Sequence, residues 1–229
     1  MMIVTKRLAK ESARDYALRT LKYNIINLEL APGSIVSENE LSSQLDLSRT
    51  PVREALIELS KVGIVEILPQ KGSQVALIDY AAVEEFCFLR RVLETAIVEM
   101  ACDIVDEEVF MEIEENLKLQ EFYLKNPSPA RLLEADDAFH EELFQMCNKM
   151  QVFKMMSSMS AHFDRVRKMS LSTVKDIKIV QDHRTIVEAI KAQDKKLAVE
   201  TMEKHLSRYK LDEEVIRSNF PHFFKESQL

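Results

Sequence analysis

Glycine is nearly missing from this chain. Its 229 residues hold only Gly33, Gly63 and Gly72, and none follows Gly72. Sheet-rich folds need glycine at turns, and nucleotide-binding loops need it against phosphate; no G-x-G-x-x-G or G-x-x-x-x-G-K can be written here. The chain beyond Gly72 is therefore expected to be helical almost throughout. Cysteine is scarce as well. Cys87, Cys102 and Cys147 are odd in number, lack C-x-x-C spacing and sit among apolar neighbours, which excludes a disulfide framework and suits reduced core thiols in a cytosolic protein. No basic-then-apolar leader opens the sequence, and no apolar run approaches the ~18 residues a membrane span needs. A cytoplasmic protein without a membrane partner is expected.

Hydrophobic residues make up 46% of the chain, enough to bury the core of one large or two modest domains. Net charge is −7, but unevenly spread. Residues 1–78 carry ten Lys/Arg against nine Asp/Glu, whereas residues 79–229 carry twenty-one against twenty-nine. Any contact with nucleic acid belongs to the first part.

That first part spells three helices. Residues 11–28 form an amphipathic stretch that "APGS" breaks. Ser37, with Glu40 three residues on, opens a short helix to about Leu45 as a capping box. In "LDLSRTPVREALIELSKVG", Ser48 is an N-cap, Pro51 is tolerated in the first turn and Gly63 suits the stop. Val52, Ala55, Leu56, Leu59 and Val62 fall on one face, while Arg49, Thr50 and Arg53 crowd the front of the other. "IVEIL" and "SQVALI", joined by "PQKG", then predict a small hairpin with a basic tip. Three helices and a two-stranded wing are the order of a winged helix-turn-helix. Its recognition helix would enter the major groove with Ser48, Arg49, Thr50 and Arg53 forward, arginine being suited to guanine O6 and N7, while Lys71 reaches a phosphate or the minor groove.

The stretch "PGSIVSENELSSQLDLSRTPVREALIELSKVGIVEILPQKGSQV" resembles the DNA-binding domain of GntR-family transcription regulators over about residues 10–78, with "SRTPVREAL" as its most specific part. The resemblance implies Arg49, Thr50 and Arg53 as principal DNA contacts, helped by Ser48, Lys71 and Gly72. Two departures stand out. Asn39 occupies a position where many members place arginine, and Asp46 replaces the usual glycine in the turn, a site where aspartate can adopt a left-handed conformation at some cost.

From Asp79 onward six helices are expected, at about 79–104, 106–125, 129–147, 150–169, 174–192 and 195–217, packed as an antiparallel bundle. "NPSP" stops one, then offers Ser128 as N-cap and Pro129 at the first helical position of the next.

Three of the five histidines lie on apolar faces. Asp136 and His140 are i, i+4 partners, His183 is in line with Val180, Ile186, Val187 and Ile190, and His205 lies between Met202 and Tyr209. One buried histidine alone is ordinarily a hydrogen-bonded core residue. Yet His183 and His205 stand eleven residues either side of Asp194, so a hairpin turning at Gln193 and Asp194 puts both at one height. With Asp136 and His140 brought to that level, an Asp/His₃ set would suit a divalent ion, zinc first and nickel or manganese after, with positions left open.

The same half is similar to the FCD effector domain of the FadR subfamily over about residues 79–217. "LRRVLE" at 89–94, "DDAFH" at 136–140, Asn148, "DHRTIVEAI" at 182–190 and "MEKHL" at 202–206 carry the likeness, although the usual small residues before Asn148 are absent. The resemblance implies Asp136, His140, His183 and His205 as metal ligands and Arg90 as a cation facing an anionic effector. Together these features predict a homodimeric regulator, not an enzyme, whose affinity for a double-stranded operator responds to a small carboxylate bound at a metal-containing pocket. Two other readings remain open at this level: a metal-dependent hydrolase or lyase with Glu141 as base, fused to a DNA-binding domain, and a direct metal sensor.

Overall fold

The computed structural model describes residues 2–104, 107–173, 177–208 and 213–226. The described parts of Met1–Val83, Ser158–Met169 and Val215–Leu229 form one compact unit, and those of Glu84–Ser157 and Ser170–Glu214 form another.

The first unit begins with α1 (Ala13–Ile26), β1 (Ile35–Val36), α2 (Glu38–Leu45), α3 (Arg49–Lys61), β2 (Val65–Leu68) and β3 (Gly72–Val75). Ser12 caps α1 by accepting from the Asp15 amide. Tyr16, Ala17, Leu21 and Ile25 of α1 share a core with Val52, Ala55, Leu56 and Leu59 of α3, the apolar face the sequence predicts. Val62 does not join them. The helix ends at Lys61, Val62 becomes its C-cap, and its side chain is exposed. Asp46 ends α2 with φ 53°, so aspartate does take the left-handed place usually filled by glycine.

The wing holds one strand more than expected. β2 and β3 pair antiparallel, with Val65 opposite Val75 and Leu68 opposite Gly72, and β1 adds to the far edge of β3, giving the order β1-β3-β2. A two-residue strand is too short to leave a periodic signal. Gly72 is required for this closure: its φ is +100°, and a Cβ there would stand 3.1 Å from the Val36 carbonyl oxygen of β1.

The remaining helices are α4 (Tyr80–Ala101), α5 (Glu107–Lys125), α6 (Pro129–Met146), α7 (Met150–Ser157), α8 (Ala161–Thr173), α9 (Lys178–Lys191), α10 (Lys195–Leu206) and α11 (Glu213–Asn219), followed by a 3₁₀ turn at Pro221–Phe223. The helix expected over 150–169 is thus two. Residues 158–160 break it, and Ser160 restarts it, its carbonyl accepting from the Asp164 amide and its hydroxyl donating to the Asp164 carboxylate at 2.6 Å. The helix expected over 195–217 stops at Leu206 and resumes at Glu213. Residues 106, 174–176 and 209–212 of the expected helices lie outside the described residues.

Without glycine, helix stops in this half use other residues. Asn148 takes φ 56° after α6, and the Lys149 amide closes back on the Phe144 carbonyl at 2.8 Å. Gln193 takes φ 57° after α9, and Asp194 then caps α10 by accepting from the Leu197 amide. α9 and α10 therefore form the hairpin predicted from the sequence, and α5 packs on α6 and α9.

The first unit also contains a buried polar knot absent from the sequence reading. His162, at the start of α8, accepts at Nδ1 from the Asp79 amide at 3.0 Å and from Arg165 Nη2 at 2.8 Å. Arg165 is fully buried and donates from Nη1 to the Ala76 carbonyl at 2.7 Å. Ala161 beside them packs into the α1/α3 core, and Ile78 bridges to Phe224. Burial, with the Arg165 charge second, pushes His162 down to about 4. Two donors aimed at one ring nitrogen leave no room for a proton there.

Candidate metal centre and nucleic-acid interface

The second unit brings the four predicted ligands together. Asp136 and His140 share one face of α6, His183 comes from α9 and His205 from α10, and all four are buried. Their donor atoms lie within 4.8 Å of one another. Nε2 of His205 stands 3.3 Å from Nε2 of His183 and 3.2 Å from Nε2 of His140. Asp136 supplies Oδ1 at 3.5 Å from His183 Nε2 and Oδ2 at 3.9 Å from His140 Nε2.

These groups fit a metal ion. Nitrogens bound at ~2.0–2.1 Å to a tetrahedral ion lie about 3.3 Å apart, close to the spacing of the imidazoles. Burial pushes His183 down to about 4, and burial followed by the neighbouring imidazoles holds His205 well below its ordinary value. Neutral rings are the form that donates to metal. The outer edges of two rings are also held. His183 Nδ1 lies 2.8 Å from Gln120 Oε1, and His140 Nδ1 lies 2.6 Å from Glu94 Oε2, close in charge but off the line of a well-directed hydrogen bond. A proton drawn outward onto His183 Nδ1 leaves its Nε2 as a lone pair facing the other imidazoles, a crowding that a cation between them would relieve.

Glu94 does a second job. Its Oε1 accepts from Arg90 Nε at 2.6 Å, so one buried carboxylate bridges Arg90 and His140. Arg90 is itself buried, and through Glu94 it is linked to His140, one of the four clustered residues. Asn148, part of the sequence pattern, serves as the left-handed stop of α6. Glu141 is exposed, unlike the four clustered residues. Sequence reasoning missed Glu94 as a bridge and Gln120 altogether, since on a helix each is one polar residue among many.

On the first unit, Ser48, Arg49, Thr50 and Arg53 are exposed at the front of α3, and Lys71 is exposed at the tip of the wing. Ser48 is the N-cap by position but makes no capping bond through its side chain. Asn39 is exposed on α2. Ser37 caps α2 through the Asn39 amide, and Glu38, not Glu40, carries the notable contact: its carboxylate receives Arg53 Nε and Nη2, each at 2.9 Å. The Arg53 guanidinium holds that carboxylate below the usual range.

Residues 15–75 match the bacterial regulatory proteins of the GntR family, and residues 85–208 match the FCD domain. The chain belongs to the GntR family of regulators with an FCD domain. An HTH-type transcriptional regulator of Streptomyces ambofaciens is 34% identical over 94% of this chain and 90% of its own length. The HTH-type transcriptional repressor RspR of Escherichia coli is 30% identical over 99% of this chain and 100% of its own. Among solved structures, E. coli McbR/YncC superposes with a TM-score of 0.75 at 18% identity, covering 92% of this chain and 99% of that one. A GntR protein from Rhodococcus superposes at 0.69 with 21% identity, covering 93% and 100%. Both likenesses support the fold. The protein is a ligand-responsive, DNA-binding transcription regulator and not an enzyme, and the hydrolase or lyase reading finds no support. No described helix is long and apolar enough to cross a membrane.

Proposed function

We propose that Asp136, His140, His183 and His205 bind one divalent ion, zinc before nickel or manganese, and that a small carboxylate effector coordinates it while Arg90 holds the effector's other end. The observation that carries this reading is the convergence of three buried imidazoles beside a carboxylate, with His205 Nε2 at 3.3 Å from His183 Nε2 and 3.2 Å from His140 Nε2. A guanidinium next to the centre gives an anion a second anchor with fork geometry. Effector binding shifts operator affinity by its differential affinity for two protein states, commonly ~1–3 kcal/mol.

In this reading residues 1–78 bind DNA through Ser48, Arg49, Thr50, Arg53, Lys71 and Gly72, and residues 79–229 hold the ion and the effector and dimerise. A homodimer is supported by α4, which exposes Phe88 and Val92 one turn apart on one face, an apolar pair that a second copy would cover. Two copies also supply the half-sites a palindromic operator needs. A cytoplasmic location is in keeping with three buried cysteines that are not joined in disulfides. The deciding experiment is a thermal-shift screen of small organic acids with and without chelator. A true effector stabilises only the metal-loaded form, and operator affinity that follows free metal alone would replace this reading with direct metal sensing.

A further inference from the structure

Gln120 is fully buried on α5, a helix that contributes no ligand. The two ends of its amide are distinguished by what they face. Nε2 points at Asn116 Oδ1, 2.7 Å away, and at the Ala135 carbonyl, 3.4 Å away. A backbone carbonyl only accepts, so the NH₂ end lies on that side and Oε1 faces His183 Nδ1 at 2.8 Å. An amide oxygen also only accepts, so the proton of the neutral imidazole sits on Nδ1 and Nε2 is bare. Asn116 continues the line, donating from Nδ2 to Glu142 Oε1 at 3.1 Å. Every donor in the series His183, Gln120, Asn116, Glu142 points away from the ligand cluster. Phe139 stacks on the His183 ring with centroids 3.9 Å apart, which fixes the ring plane and leaves Gln120 to decide which edge faces inward.

We propose that Gln120 is the positioning residue of the metal centre, holding His183 in the tautomer that presents an unprotonated Nε2 to the ion, with Asn116 and Glu142 orienting the amide behind it. The proposal rests on the metal reading above. His205 lacks such a hold, since its buried Nδ1 has no hydrogen-bond partner among the described residues. The three imidazoles are thus unequally prepared, and the ligand on α9 is set by α5.

The test uses the full chain, with histidine tautomers read by nitrogen–proton NMR on chelated protein and metal binding by titration with Zn²⁺ and with Co²⁺ as an absorbing probe. In the wild type His183 is expected as the Nδ1–H form. Gln120→Met keeps the length but removes the acceptor; it should give a tautomer mixture, zinc affinity lower by about 10–100-fold and an altered Co²⁺ spectrum. Gln120→Glu restores an acceptor and should recover the Nδ1–H form and most of the affinity. An Nε2–H form of His183 in the wild type overturns the proposal, even if Gln120→Met does not fold. So does Gln120→Met with unchanged tautomer and affinity. A wild type that shows the Nδ1–H form but binds neither ion removes the metal reading instead.

Discussion

Arg53, at the front of α3, is already held, its Nε and Nη2 both on the carboxylate of Glu38 in the preceding helix. The pair is exposed, so it adds little to stability. It does set the direction of the guanidinium and cancels part of the charge that a phosphate would meet.

Removing either arginine from the front of α3 should abolish specific binding. Arg49→Ala and Arg53→Ala are each expected to weaken operator binding by roughly ten- to a hundredfold while leaving the melting temperature almost unchanged. A mobility-shift series with operator and unrelated duplex checks this. Undiminished operator affinity would remove the DNA role.

Glu38→Gln should act in the opposite sense. Loss of the Glu38 carboxylate releases Arg53 and raises the net charge at the front of α3 by one. Binding to operator and unrelated DNA should both tighten, and the dependence of log K on log salt should steepen by about one phosphate contact. A lowered affinity for both would mean that the direction Glu38 gives Arg53 outweighs the charge it cancels.

For the metal centre, chelation is expected to lower the melting temperature of the loaded protein, because ions that bind only the folded chain stabilise it. The double variant His183→Ala/His205→Ala should lose both the near-unit stoichiometry and the response to chelator. Metal analysis and thermal shift together decide, and an unchanged stoichiometry would place the ion elsewhere.

Arg90→Lys tests the effector end. Lysine keeps the charge beside Glu94 but not the fork, so effector affinity should fall by about tenfold or more, with metal content and effector-free DNA binding retained. Calorimetry with an acid found by the thermal screen reads it directly. Equal affinity would leave Arg90 as the partner of Glu94 and nothing more.

His162 predicts a pH dependence of folding. Its folded value lies at about 4, below the ordinary 6.5, so above 6.5 the ring is neutral in both states and costs nothing. Between 6.5 and about 4 the unfolded chain takes up the proton and the folded chain does not, so stability falls as pH falls, by at most ~3 kcal/mol, and levels off below that window. The groups facing the ring are Arg165, the Asp79 backbone and carboxylate, the Gly63 backbone on the Nε2 side and, through Asp79, Lys225. His162→Asn keeps an acceptor without the titration, and denaturant unfolding at pH 7, 5.5 and 4.5 should show a flatter profile than the wild type.

The parts of this structure that could be seen in the sequence are those set by local chemistry. Asp46 could be placed in a left-handed turn because its short side chain tolerates one, and His183 and His205 could be placed at equal height because rise per residue is constant. The bridge of Glu94 to His140 and the hold of Gln120 on His183 span 46 and 63 positions, and no local period encodes them. The break at Ser158–Ser160 was hidden for a different reason. The apolar stripe continues through it, so periodicity alone favours one helix where the capping chemistry of Ser160 and Asp164 makes two.

The glycine-free helical half leaves stability in reserve. Asn148 and Gln193 each hold a left-handed backbone that a side chain resists, at exposed positions where the chain turns between helices. Glutamine, with no short polar group to fold back on its own backbone, is the more strained of the two. Gln193→Gly should therefore raise the stability of the α9/α10 hairpin by about 0.5–1 kcal/mol, the relief at the turn exceeding the extra freedom glycine gives the unfolded chain. Because that hairpin carries two of the four clustered residues, a tighter turn would let the imidazoles of His183 and His205 be tuned separately from the endurance of the scaffold, giving a route to hardier sensors built on this fold.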